Sequence, residues 1–95
     1  MQKLQIEIPK KLMAKKLEGE WVFLNLENGE YYGLNETGSL VWDTIREKKD
    51  PEAAVSRLQE TYQLERTRAQ KDVANLLKDL EEQGLIRIEK LLKKS

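Results

Sequence analysis

The sequence predicts an α+β domain in which a small antiparallel sheet precedes a set of helices. Three observations carry that expectation. Between Trp21 and Leu34, two runs of branched and aromatic residues flank an Asn-Gly dipeptide, the pattern of a β-hairpin. From Asn35 onward, apolar residues recur at helical spacing in three stretches bounded by capping residues. Ninety-five residues are enough for one small core, so both halves are assigned to one domain over residues 1–95.

Taken in order, Leu4, Ile6 and Ile8 alternate with Gln5 and Glu7 in a strand pattern that Pro9 stops. Lys10 to Leu17 suits an outer strand, its lysines guarding an edge. Glu18-Gly19 reads as a turn into the central hairpin. If Asn28 and Gly29 are the two residues of a type I′ loop, Leu26 faces Tyr31 and Leu24 faces Gly33 on one side of the sheet. On the other side Phe23 meets Leu34 and Asn25 meets Tyr32. Both faces then carry apolar groups, so the second face is either covered or a binding surface.

The first helix is expected over Glu36–Lys48, with Asn35 as N-cap. Gly38 within it costs about 1 kcal/mol relative to Ala and points to close packing. The second helix opens at Asp50 as N-cap, with Pro51 in the first position, and buries Ala54, Val55, Leu58 and Tyr62. The third runs from about Glu65 or Arg66 to Gln83, buries Ala69, Val73, Leu76, Leu77 and Leu80, and ends at Gly84 in a left-handed cap. Leu85, Ile86 and Ile88 suggest a terminal strand paired with Leu4–Ile8, and the tail KLLKKS is expected to fray.

The totals exclude much. The chain has no cysteine and no histidine, which removes disulfides, thiol nucleophiles, the commonest general base and the commonest zinc ligands. No phosphate-binding loop, metal motif or nucleophile elbow is present. Asp72 and Asp79 lie two turns apart on one helix, a spacing that a solvated helix edge explains better than an acid–base pair. The reading is of a non-enzyme without cofactor or metal. No apolar run approaches the roughly 20 residues that span a bilayer, and no signal-peptide core is seen, so a cytoplasmic location is expected.

A hairpin followed by three helices is compatible with a DNA-binding winged helix-turn-helix, whose last helix would enter the major groove. That helix, however, sets Arg66, Arg68, Lys71 and Lys78 against Glu65, Asp72, Asp79, Glu81 and Glu82. With 17 basic and 17 acidic residues overall, phosphate affinity has little to draw on, and no nucleic-acid partner is expected. A peptide groove fits better. A short exposed strand at Glu30–Leu34 offers unpaired backbone groups to an added strand. Tyr31, Tyr32, Leu34 and the helix flank of Asp72, Leu76, Asp79 and Gln83 are available to line it.

The run VFLNL, a turn with Gly29, YYGLNETGSLVW, and a late helix with Asp72-Val73 and LLKDLEEQGLI together resemble the PqqD-like family, from about Leu12 to Ile88. The most specific part is Tyr32-x-Leu34-Asn35-x-Thr37-Gly38 followed by Leu40, Val41 and Trp42. The second marker is Asp72-Val73 with Leu76-Leu77, Leu80 and Gly84-Leu85.

The resemblance implies a winged-helix-like fold, a three-stranded antiparallel sheet against three helices. It implies recognition of the leader of a ribosomally made precursor peptide, which pairs antiparallel with the third strand in a cleft against the third helix. Carried over by position, the peptide-binding residues are Glu30, Tyr31, Tyr32, Gly33 and Leu34 on the strand, with Arg68, Asp72, Asn75, Leu76 and Asp79 on the helix. Such proteins do no chemistry and raise the local concentration of a peptide near its modifying enzyme. The compact hairpin and paired tyrosines most resemble the recognition proteins of lasso-peptide pathways, whose partner is a leader peptidase. The chaperone of pyrroloquinoline quinone biosynthesis, which serves a radical enzyme, is the nearest competitor. The Leu4–Ile8 segment lies outside the shared pattern.

Overall fold

Each stretch of patterned sequence becomes an element of the computed structural model, which describes residues 4–90. They run β1 (Leu4–Glu7), β2 (Leu12–Leu17), β3 (Glu20–Asn25), β4 (Tyr31–Gly33), α1 (Glu36–Lys48), α2 (Pro51–Tyr62), α3 (Arg66–Glu82) and β5 (Arg87–Lys90). Strands β2, β3 and β4 form a three-stranded antiparallel sheet in that order. Strands β1 and β5 form a separate antiparallel pair with Ile6 opposite Ile88. The fold is therefore α+β and winged-helix-like. The expected fraying at 91–95 lies outside the described residues.

Local chemistry sets the boundaries. Asn35 caps α1 by accepting from the Gly38 N–H at 2.8 Å, and a Cβ on Gly38 would sit 3.3 Å from that same Asn35 Oδ1. Glycine thus lets the first turn close on its own cap. Asp50 accepts from the Glu52 N–H at 3.0 Å, with Pro51 as the first residue of α2. At the end of α3 the Gly84 N–H reaches the Glu81 carbonyl, and the Leu85 N–H reaches Leu80. Gly84 itself has φ of +75°. This is a Schellman cap, which also turns Leu85 and Ile86 into the core.

The positive-φ pair of a type I′ turn falls at Glu18-Gly19, between β2 and β3, with φ of 51° and 86°. The β3–β4 loop departs from the two-residue turn expected at Asn28-Gly29. The Asn25 N–H donates to the Glu30 carbonyl at 2.7 Å, so residues 26–29 form the loop. The cause is Asn25, whose Oδ1 accepts from the N–H groups of Glu27 at 2.8 Å and Asn28 at 3.2 Å. That side chain folds the backbone into an Asx turn in competition with the tighter hairpin. Pairing consequently slips by two residues: Leu24 faces Tyr31, Phe23 faces Tyr32 and Val22 faces Gly33. Because side chains alternate with period two, a slip of two leaves each residue on its expected face.

The inner face of the sheet carries Leu12, Trp21 and Phe23, all buried against the helices. The Phe23 ring meets Trp42 of α1 edge to face, with centroids 5.4 Å apart. Val41, Ile45, Ala54, Val55, Leu58, Ala69, Val73, Leu77 and Leu80 complete the core from the three helices. Two polar ties fix the sheet on α1. Ser39 Oγ accepts from the Trp21 N–H at 2.9 Å, and Asp43 accepts from Trp21 Nε1 at 2.7 Å and from Lys16 Nζ at 2.9 Å. No helix is long and apolar enough to cross a membrane among the described residues.

Candidate functional site

Strand β4 is an edge strand, with β3 as its one neighbour among the described residues. In an antiparallel ladder, residues alternate between bonding toward the partner and bonding away from it. The Leu34 N–H donates to the Trp21 carbonyl, and the Glu30 carbonyl accepts from Asn25, so Tyr32 is the residue between them that bonds to β3. The N–H and C=O groups of Tyr31 and Gly33 therefore point outward from the sheet. They are the open backbone groups of the edge. Glu30 and Leu34, expected to share in that edge, do not. The Glu30 N–H also donates to Asn28 Oδ1 at 2.9 Å, and the Leu34 carbonyl accepts from Ser39 Oγ at 3.3 Å. Ladder alternation explains the difference: every second residue of an edge strand bonds inward, and a slip of two leaves that set unchanged.

The two tyrosines part company at this edge. Tyr32 shares its face with Phe23 and turns toward the helices, where its hydroxyl donates to Asp79 Oδ2 of α3. That bond, then burial and the nearby negative charge, raise the Tyr32 phenol above the ordinary tyrosine value. Tyr31 shares the opposite face with Leu24 and is 76% exposed. It does not line the β4–α3 cleft.

On α3 the flank positions recur every three or four residues beside the buried stripe of Ala69, Val73, Leu77 and Leu80. Asn75, Leu76, Lys78, Asp79 and Glu82 border an open hollow of about 440 Å³. Leu76 forms its apolar part and packs on the core, as the buried Leu34 does below β4. One turn earlier Arg68 Nε lies 3.6 Å from Asp72 Oδ2, a largely solvated i,i+4 pair. The structure thus gathers Tyr32, Asn75, Leu76 and Asp79 at one place, sets Arg68 and Asp72 above it, and leaves Tyr31 and Gly33 as backbone contributors. Lys78 and Glu82 were not foreseen, and only helical phase could have flagged them. Among the described residues, no group of three or more acidic, histidine or cysteine side chains is placed to hold a metal ion.

A three-stranded sheet with one free edge set beside the last helix of a winged-helix-like fold leaves an open cleft between strand and helix. The sequence over residues 20–86 matches the family described as coenzyme PQQ synthesis protein D, PqqD. The chain belongs to the PqqD family. Two solved structures share its fold. One is TbiB1 in complex with the TbiA(beta) leader peptide, 28% identical over 85% of this chain and 94% of that one, with a TM-score of 0.74. The other is lasso peptide synthetase B1 complexed with the leader peptide, 27% identical over 86% and 96%, with a TM-score of 0.77. No curated protein matches the sequence.

Proposed function

We propose that this protein is a non-enzymatic adaptor. It binds the leader of a ribosomally synthesised precursor peptide by strand addition along β4 and presents it to a processing enzyme. The observation that carries the reading is the pair of open backbone positions, Tyr31 and Gly33, on a free edge beside the α3 flank. Backbone bonds there supply affinity that does not depend on sequence, and the α3 hollow supplies selection. Both similar structures hold a leader peptide, which supports a lasso-peptide pathway with its leader peptidase as the enzyme partner. It also supports the cytoplasm, where precursors are made. The second reading, a chaperone of the pyrroloquinoline quinone pathway or of another radical-enzyme pathway, is favoured by the family's own description.

A DNA-binding role has weaker support. Arg66 is held by Glu52 at 2.5 and 2.7 Å, so one of the four basic side chains of α3 is already engaged, and acidic residues of the same helix offset the rest. The deciding experiment is an NMR titration with the leader of a precursor encoded beside the gene. Saturable binding with the largest amide shifts at Tyr31, Gly33 and along Arg68–Asp79 is expected. No shift with any neighbouring leader, together with salt-sensitive binding of duplex DNA, would overturn the adaptor reading.

A further inference from the structure

The outer face of the three-stranded sheet is uncovered among the described residues, and it is apolar where a sheet facing water should be polar. Cross-strand pairing arranges it in rows: Met13, Leu24 and Tyr31 in one, Lys15, Val22 and Gly33 in the next. With Leu17, the side chains of these rows border a hollow of about 370 Å³. Met13, Leu17 and Tyr31 are exposed by 45%, 49% and 76%.

Gly33 is the informative member. Its φ lies outside the left-handed region, and a Cβ built on it would meet nothing within 4 Å. Neither backbone conformation nor crowding requires glycine there. What the missing side chain does is leave a notch in the outer row beside Val22, at the residue whose N–H and C=O face the free edge.

We infer that this notch is the outward half of the peptide site, filled by a large apolar side chain from the peptide residue opposite Gly33; the inference rests on strand addition at β4. A strand added antiparallel to β4 forms a hydrogen-bonded pair with Gly33, and paired residues project to the same face. The side chain opposite Gly33 therefore emerges on the outer face, where it leans over Val22 between Tyr31 and Lys15. Its neighbours along the peptide point inward to the α3 hollow. The size of the surface selects this occupant. Half a dozen side chains around one hollow suit one or two peptide side chains, whereas a stable interface between two folded chains needs about 800 Å² from each. The peptide class is thus one with a large apolar residue at the Gly33 position, in alternation with the residues that α3 reads.

The test uses twelve-residue peptides selected on the whole protein from a random display library. Amide shifts at Tyr31 and Gly33 identify strand-adding binders, and cross-strand NOEs identify the residue opposite Gly33. That residue is expected to be large and apolar, and its replacement by glycine should weaken binding about tenfold. The graded variants Gly33→Ala, Gly33→Val and Gly33→Leu, each checked for a native amide spectrum, should progressively weaken the parent peptide by about tenfold or more. The glycine-substituted peptide should change less than about twofold. Equal affinity of the parent peptide for the native protein and Gly33→Leu would overturn the inference while leaving strand addition standing. So would concentration-dependent dimerisation that peptide fails to compete. A selection that yields no binder shifting Tyr31 and Gly33 would instead remove the strand-addition reading, and this inference with it.

Discussion

Tyr32 of β4 donates its hydroxyl to Asp79 of α3, 47 residues away in sequence, and this bond closes the base of the strand–helix cleft. It joins the edge strand to the helix that flanks it, so its loss should be felt in both stability and cleft geometry. Tyr32→Phe removes the donor while keeping the ring. Such a bond to a half-buried carboxylate contributes about 1 kcal/mol net, or roughly 4–8 °C in Tm for a domain of this size. A thermal melt matching the native protein would show that the bond carries no net stability.

The same bond makes a titration prediction. The Tyr32 phenol is raised by the hydrogen bond to Asp79, by burial and by the Asp79 charge. A group raised in the folded state contributes stability that is complete below its unfolded value, about 10 for tyrosine, and is lost as pH rises through the folded value. Urea midpoints should therefore fall above about pH 10, and Asp79→Asn should reduce that alkaline loss. An unchanged alkaline limb in Asp79→Asn would break the assignment.

At the other end of the sheet, Asp43 anchors β2 and β3 to α1. Burial pushes its carboxyl up, but hydrogen bonds from Lys16 and Trp21, with the charges of Lys16 and Arg46, outweigh burial and hold it below the ordinary aspartate value. The Arg46 guanidinium also lies 5.0 Å over the Trp21 ring. For a lowered carboxyl the stabilisation is present above the unfolded value, about 3.9, and is lost as pH falls through the folded one. Denaturation at pH 7, 4 and 3 should show a smaller acid loss for Asp43→Asn than for the native chain.

Phe23 is wholly buried and packs edge to face on Trp42. Phe23→Ala should cost about 3–5 kcal/mol, comparable to the whole stability of many small domains. Phe23→Leu, with far less volume lost, should stay folded with a lowered urea midpoint. Far-UV circular dichroism and the midpoints of the two variants check the ranking.

Much of this architecture was legible because the signals are local. Asn35, Asp50-Pro51 and Gly84 act through bonds within a few residues of themselves, so the helix limits could be read from the chain. Alternation in Leu4–Ile8 and at Ile86 and Ile88 likewise anticipated the β1–β5 pair. The β3–β4 register was not legible, because the choice between two turns depended on where the Asn25 side chain bonds. The slip of two changed the cross-strand partners of β4 but not which of its groups face outward. The edge is narrower than the whole strand for a separate reason: in an antiparallel ladder every second residue bonds inward, so Glu30, Tyr32 and Leu34 face β3 in either register and only Tyr31 and Gly33 stay open. The bond between Tyr32 and Asp79 was beyond sequence reasoning for another reason. Each residue was placed in the site, but their contact depends on how α3 lies across the sheet.

Asp72 separates a structural from a recognition role on α3. Its partner Arg68 is 66% exposed at the side chain and the two are 3.6 Å apart, a solvated pair contributing at most a few tenths of a kcal/mol to stability. Asp72→Ala should therefore leave the melting temperature almost unchanged. If Asp72 accepts a bond from the leader or aligns Arg68 toward it, the same variant should weaken leader binding by about 1–3 kcal/mol, some five- to 150-fold. Calorimetric titration of the folded variant with the leader that binds the native protein makes the distinction. Native affinity would take Asp72 out of the cleft and leave recognition to Asn75, Leu76 and the residues around Asp79. A matched loss in Arg68→Ala, without additivity in the double variant, would instead show that the two act on the peptide as one unit.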